Sequence, residues 1–277
     1  MSRLDELRKL IRSYGSCLVA YSGGVDSAFL AVVAYQVLGK RSLAVIADTP
    51  SLPRREFAEA LALARQFNFP LRVARTQEFK KAEYTSNPPD RCYFCKHEIF
   101  SEFVSIARAE NLALIVHGEN ADDVGDYRPG SRAAEELKAR APLREVGMTK
   151  AEIRACSAEL GLPTAQKPQS ACLSSRIPYG EVVTVEKLGM IERAECVLLD
   201  LGFHGVRVRH HELLTQGIKV NLARIEVSTD EMSRFLKDGV FARVASGIKA
   251  LGYTYVTLDL QGYRRGGYNE LIEKKQG

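Results

Sequence analysis

A chain of 277 residues with 45% hydrophobic and 26% charged content is long enough for one large or two ordinary soluble domains, each with a substantial core. No apolar run approaches the ~20 residues needed to cross a bilayer, and the opening MSRLDELRKLIRSYG has apolar residues at helical spacing among charges, not a signal peptide's apolar core. The net charge of +5 suits an anionic ligand such as a nucleotide and calls for neither nucleic acid nor a membrane; a cytoplasmic setting with reduced thiols makes the six cysteines buried, metal-binding or reactive.

In chain order, CLVAY (17–21) reads as a buried strand and SAFLAVVAYQVLG (27–39) as a helix ended by Gly39. SLAVIAD (42–48) is the next strand, and RREFAEALALARQF (54–67) an amphipathic helix after Pro53. LRVART (71–76) is a candidate third strand. A polar, proline-bearing loop follows, with the C-x-x-C pair Cys92 and Cys95 ahead of a helix over 96–110 and a strand over 112–118. This alternation implies βαβ units and a parallel sheet covered on both faces. Gly, Asp and Asn dominate a loop over 118–131, and Thr149 is the N-cap expected for a helix over 149–162. PTAQKPQSACLSSRIPYG (163–180) has three prolines and little periodicity, and reads as a linker or lid. Beyond it come a helix (184–201), strands (205–211 and 218–227), a helix over 230–250 broken near Gly239, and a strand (254–260). The expected fold class is α/β, with a parallel-sheet domain over 1–165, a linker or lid with a reactive cysteine over 166–180, and a small α/β sandwich domain over 181–277.

SGGVDS (22–27) falls between a strand and a helix, where α/β sheets bind anions. Gly23 and Gly24 are expected to take backbone torsions closed to other residues and to let the main chain approach phosphate. The helix N-terminus adds unpaired N–H groups, Ser22 and Ser27 add hydroxyls, and Asp26 can hold Mg²⁺ against a pyrophosphate. Neither G-x-x-x-x-G-K-[ST] nor G-x-G-x-x-G is present, and the bland alternative is a tight Gly-Gly turn. In HGENADDVGDYRPG (117–130), Asp122, Asp123 and Asp126 converge on one loop, either to bind Mg²⁺ or as a solvated acidic turn, and Arg128 suits an anionic substrate. Cys172 stands in a Ser-rich segment four residues before Arg176, with the access and positive charge a reactive thiol needs; a small buried cysteine is the alternative. Arg207 and Arg209 alternate on one strand face, facing either Glu226 on the next strand or a substrate phosphate. QGIK (216–219) reads as lengthening the connection between those strands, which leaves the arginine geometry open. Cys17, Cys156 and Cys196 sit in apolar or helical contexts and read as core residues.

SGGVDS resembles the pyrophosphatase loop of the N-type ATP pyrophosphatases, the adenine nucleotide alpha hydrolase-like fold, over roughly residues 15 to 165. Taken with GENADDVGDYRPG, CLSSRIPYG, VRVR and the terminal YTYVTLDLQGYRRGGYNE, essentially the whole chain resembles the ATP-dependent sacrificial sulfur transferases. This is the LarE family, which matures the nickel-pincer cofactor of lactate racemase. The resemblance implies ATP and Mg²⁺ as cofactors, with a carboxylate of pyridinium-3,5-biscarboxylic acid mononucleotide adenylylated and then converted to a thiocarboxylate. It implies catalytic roles for Asp26, Cys172 and Arg176 and a substrate-phosphate role for Arg128, Arg207 and Arg209.

Two sulfur sources occur in that family. Either Cys172 gives up its own sulfur, or Cys92, Cys95 and Cys172 hold a 4Fe–4S cluster whose remaining iron carries sulfide. The extra pair favours the cluster, with a structural zinc site as the bland alternative. The implied partners are sulfide or a sulfur donor, other nickel-pincer biosynthesis enzymes, and further copies in a trimer-based assembly. A tRNA thiolase is the nearest rival, although it needs a long basic surface where the positive residues here are dispersed. An ammonia-using amidotransferase would explain SGGVDS but not the three cysteines, and a nucleotide-binding sensor would bind ATP without cleaving it.

Overall fold

The apolar runs of the first part become four parallel strands: β1 (Cys17–Ala20), β2 (Ser42–Asp48), β3 (Leu71–Arg75) and β4 (Leu114–His117), in the spatial order β3-β2-β1-β4. The computed structural model describes residues 2–123, 129–237 and 239–264. Asp126, Arg128 and the end of YTYVTLDLQGYRRGGYNE from residue 265 therefore lie outside the described residues. The chain divides into two units, Met1–Tyr84 with Asp90–Ser170, and Thr85–Pro89 with Ala171–Gly277.

In the first unit the helices are α1 (Arg3–Ser13), α2 (Val25–Leu38), α3 (Arg54–Gln66), the short α4 (Ala82–Thr85), α5 (Arg91–Ala109), α6 (Pro129–Glu136), the short α7 (Pro142–Glu145) and α8 (Lys150–Glu159). Period-two alternation sends Cys17 and Val19 of β1 to one face of the sheet, with Ala44, Ile46 and the helices α1, α2 and α3. Leu18 and Val45 go to the other face, against Phe100, Phe103 and Ile106 of α5. Helix α2 is apolar around most of its circumference and accordingly buried almost throughout. Strand order reverses at β1, so the carboxyl ends of β1 and β4 frame the crevice in which such sheets bind ligands.

Two helices begin earlier than the sequence pattern predicts. Helix α2 starts at Val25, which puts Asp26 and Ser27 in its first turn. Helix α5 starts at Arg91, so Cys92 and Cys95 stand on the helix, one turn apart on one face, instead of in a loop ahead of it. Pro88 and Pro89 supply the stop that lets the helix begin there. The expected linker is also more ordered than its composition suggests, with short 3₁₀ turns at Pro163–Gln166 and Leu173–Arg176. Residues through Ser170 group with the first unit.

The second unit holds β5 (Arg207–Thr215), β6 (Ile218–Glu226) and β7 (Tyr255–Leu258), with β5–β6 antiparallel and β6–β7 parallel. Helices α9 (Val185–Asp200) and α10 (Val240–Lys249) pack on this sheet around Leu198, Phe203, Val208, Ile225 and Ile248. Gly239, left-handed at φ 74°, separates α10 from the 3₁₀ stretch Thr229–Leu236, which is the break expected there. QGIK does not lengthen the connection. Gln216 and Gly217 both have positive φ, the signature of a two-residue type I′ turn, and this fixes Arg207 opposite Glu226 and Arg209 opposite Arg224. Residues 85–89 join this unit through Val183 N–H donating to the Thr85 carbonyl (2.8 Å) and the buried Asn87 side chain donating to the Pro178 carbonyl (2.6 Å).

Candidate active site

In the first unit, chemistry-bearing residues collect at the carboxyl ends of β1 and β4. The Ser22 main-chain N–H donates to Ser27 Oγ (3.1 Å), the two serine hydroxyls lie 2.9 Å apart, and Ser27 Oγ donates to the Gly24 carbonyl (3.3 Å). The loop is thus closed on itself above the N-terminus of α2, whose first N–H groups have no intrahelical acceptor. The two glycines differ. Gly23 has φ +73°, and a Cβ there would stand 2.6 Å from the Ala60 Cβ of α3. Gly24 has φ −79° and ψ 169°, torsions open to any residue, so the expectation of glycine-only backbone holds at Gly23 alone. Across the crevice, Gly118 passes so near α2 that a Cβ would lie 2.9 Å from Ser27 N and 3.1 Å from Asp26 Cβ.

Asp26 is the electrostatic focus. Its Oδ2 accepts from Lys150 Nζ, while Oδ1 is buried with no partner. Burial pushes its carboxyl above the usual carboxylate range; Lys150 opposes that shift and the charge of Asp123 adds to it. Asp122 and Asp123 brace their own loop: Asp122 Oδ2 accepts from the Lys150 main-chain N–H (2.8 Å), and Asp123 Oδ2 from that of Asn120 (3.1 Å). On the opposite flank, Lys167 Nζ donates to Glu59 Oε2 (3.0 Å) and to the Gly23 carbonyl (3.4 Å).

Sequence pattern alone does not single out Gly118, Lys150 or Lys167. Lys150 carries a readable signal, because a lysine at the first position of a helix opposes the helix dipole and therefore needs another reason to be there. Lys167 carries none, since its partners come from α3 and the SGGVDS loop, more than a hundred residues away in the chain.

In the second unit, Cys172 is half-buried at the start of the Leu173–Arg176 turn. Arg176 is fully buried. It donates from Nε and Nη2 to Glu195 (2.9 and 3.1 Å) and from Nη1 to the Cys172 carbonyl (2.9 Å) and that of Ala171. Its guanidinium therefore frames the loop through backbone carbonyls, not through the Cys172 thiol. Arg209 pairs with Glu226 through Nε (3.0 Å) and Nη2 (2.8 Å) and donates to the Ser175 carbonyl, so its carboxylate partner is internal. Arg207 differs from its neighbour. It bonds the Val206 carbonyl (2.7 Å) and stacks on Tyr263, and among the described residues no carboxylate pairs with it. Burial lowers its pKa, the charge of Arg176 adds to that shift, and the charge of Glu195 opposes it.

Among the other cysteines, Cys17 is buried in the first unit's core, and burial pushes its thiol up to about 12. Cys156 and Cys196 are half-buried on α8 and α9. Cys92 is exposed and Cys95 half-buried. Among the described residues, no three Cys, His, Asp or Glu side chains form a metal-holding group, and no helix is long and apolar enough to cross a membrane.

His210 of β5 is 1% exposed; its Nδ1 lies 3.1 Å from Tyr253 Oη, its Nε2 has no partner, and burial pulls its pKa down to about 4. A histidine with a folded pKa below its unfolded value stabilises fully above the unfolded value, about 6.5. That contribution is lost as pH falls toward the folded value. Between about pH 6.5 and 4, unfolding should take up one proton at His210, costing about 1.4 kcal/mol per pH unit. Urea titrations at several pH values check this; His210→Gln should flatten the slope by one proton, and an unchanged slope would refute it.

No family model matches the chain. An uncharacterized Synechocystis protein is 42% identical over 99% of both chains. A pyridinium-3,5-bisthiocarboxylic acid mononucleotide synthase of Lactiplantibacillus plantarum is 35% identical over 93% of this chain and 90% of its own. The chain belongs to the LarE family. A glutamine-hydrolyzing GMP synthase component of Methanococcus maripaludis is 27% identical over 70% of this chain and 66% of its own, which places the LarE family chain among the PP-loop ATP pyrophosphatases. The parallel sheet of the first unit, with SGGVDS at its switch point, agrees with that fold. The relatives with a stated activity are enzymes.

Proposed function

We propose that this LarE-family chain is an ATP-dependent sulfur transferase that converts a carboxylate of pyridinium-3,5-biscarboxylic acid mononucleotide into a thiocarboxylate. The observation that carries this reading is the 35% identity, over 93% of the chain, to the bisthiocarboxylic acid mononucleotide synthase. The substrate carboxylate oxygen attacks the α-phosphorus of ATP, the bond to the β-phosphate oxygen breaks, and pyrophosphate leaves. A sulfur nucleophile then adds to the acyl carbon and expels AMP.

The main chain of Ser22–Ser27 and the start of α2 bind the phosphates; Gly23 lets that loop pack closely on Ala60 of α3, and Gly118 lets the neighbouring chain pass close to Ser27 N at the start of α2. Asp26, with Oδ1 buried and unpartnered, fits a ligand for Mg²⁺, which supplies positive charge against the pyrophosphate as it leaves. In the second unit, Arg207, which pairs with no carboxylate among the described residues, takes the mononucleotide phosphate with Arg209 beside it; Arg128 is a further contact for that phosphate, and Asp122, Asp123 and Asp126 are further candidate ligands for Mg²⁺.

For the sulfur we propose sulfide on a 4Fe–4S cluster held by Cys92, Cys95 and Cys172. Among the described residues no three Cys, His, Asp or Glu side chains form a metal-holding group, and a cluster bound by these thiols would supply the sulfide. Protein made anaerobically should contain iron and acid-labile sulfide, both lost in Cys92→Ala, Cys95→Ala and Cys172→Ala. Conversion of Cys172 to dehydroalanine during one turnover, seen by mass spectrometry, would instead make Cys172 the donor, through a thioester whose Cβ–S bond breaks as the Cα proton is lost. One zinc per chain would indicate a structural site. The wider proposal fails if ATP and the mononucleotide together release no pyrophosphate and no thiocarboxylate forms.

A further inference from the structure

Lys150 occupies the first position of α8, where its charge opposes the helix dipole. Its place is fixed by backbone: Thr149 and Glu152 cap the helix reciprocally, and the Lys150 N–H donates to Asp122 Oδ2 at 2.8 Å. From there Nζ reaches Asp26 Oδ2, leaving Asp26 Oδ1 buried and idle. Asp26 thus holds one cation already, on the same carboxylate that the proposed function assigns to a metal.

Charge decides what can bind next. A divalent cation arriving alone would set three positive charges against one carboxylate, with Asp123 close enough to relieve only part of that. A cation arriving with ATP brings an excess of negative charge, so the ammonium gains phosphate oxygens as it leaves the carboxylate.

We infer that Lys150 is a place-holding cation. In the nucleotide-free protein it occupies Asp26 and excludes divalent cations; on nucleotide binding it moves to the phosphates, so metal and ATP bind together. The inference rests on the reading that Asp26 holds the metal of ATP. It assigns Lys150 a binding role that a merely structural lysine at a helix start would not have.

The test is Mn²⁺ binding, followed by electron paramagnetic resonance, with and without a non-cleavable α,β-methylene analogue of ATP. Wild type and Lys150→Arg should bind Mn²⁺ about tenfold or more tightly with the analogue than without it, within the usual range of coupling between two ligands. Lys150→Met should bind Mn²⁺ without nucleotide about tenfold more tightly than wild type, and should bind the analogue more weakly. Adding Asp26→Asn to Lys150→Met should abolish the nucleotide-free binding. Equal nucleotide-free affinity in wild type and Lys150→Met, with Mn²⁺–analogue binding intact in wild type, would overturn the place-holder while leaving the ATP reading standing. Nucleotide-free binding that survives Asp26→Asn would overturn it as well. Absence of Mn²⁺–analogue binding in wild type would sink both. The Lys150 side chain is partly exposed and its main-chain bond to Asp122 survives the methionine, so the variant is expected to fold.

Discussion

Gly23→Ala should destabilise the first unit by about 2–5 kcal/mol and, on the proposed function, slow pyrophosphate release from ATP by about 100-fold, while Gly24→Ala leaves the fold intact. Two costs add at Gly23. An L-residue at φ +73° is strained by about 1–2 kcal/mol, and a Cβ 2.6 Å from the Ala60 Cβ forces overpacking worth about 1–3 kcal/mol. Helix α3 cannot simply retreat, because Tyr21 Oη donates to the Ala60 carbonyl at 3.0 Å and Tyr21 itself is buried. The loop must give way instead, and it carries the N–H groups that would meet phosphate. At Gly24 the backbone is ordinary and the nearest atom to a Cβ is Ser22 Oγ at 3.5 Å. Urea unfolding and a pyrophosphate assay read the two effects. Adding Ala60→Gly to Gly23→Ala should return the overpacking part, less about 1 kcal/mol for a glycine inside a helix. Failure of that rescue would mean strain in the loop dominates over the contact with α3.

Much of this fold is legible in the sequence because local and tertiary preferences agree. Buried parallel strands need unbroken apolar runs such as CLVA and AVIA, and they are found where those runs occur. SGGVDS is legible because a phosphate loop uses main-chain groups whose placement only a few residue types permit. What escapes is set by partners distant in sequence. Periodicity starts a helix at its first apolar repeat, so the polar opening turn of α5 goes unread, and with it the helical placement of Cys92 and Cys95. Gly118 looks like one glycine in a loop; its constraint comes from α2, about ninety residues earlier in the chain. QGIK misleads for another reason. Gln-Gly is a weaker turn signal than Asn-Gly, yet the strand twist still imposes the two-residue turn. That turn sets Arg207 opposite Glu226 and Arg209 opposite Arg224, yet the Glu226 carboxylate pairs with Arg209 on the diagonal, so side-chain contact, not register, separates the two arginines that look equivalent in VRVR.

Glu195→Gln should cost the second unit about 3–5 kcal/mol, the effect of removing one partner from a buried ion pair. Glu195 Oε1 accepts from both Arg176 Nε (2.9 Å) and the Val208 main-chain N–H (3.0 Å), tying the Cys172 turn to β5. The neutral amide keeps the shape but takes the Glu195 charge away from the fully buried Arg176 guanidinium, beside the cation of Arg207. Glu226 cannot take over, because Arg209 and Arg224 already engage it. Arg176→Leu should be comparably damaging, since it strands the Glu195 carboxylate and removes the donor shared by the Ala171 and Cys172 carbonyls. The double variant Arg176→Leu, Glu195→Leu separates stability from positioning. Replacing both ions with apolar groups should recover most of the loss, yet the Cys172 turn stays without its clamp. Urea titration should therefore show the double variant near wild type, while alkylation of Cys172 by iodoacetamide runs faster in it than in wild type. Single variants as stable as wild type would show that the pair is solvated and dispensable; a stable double variant with unchanged Cys172 reactivity would show that Arg176 neutralises Glu195 and does not hold the cysteine in place.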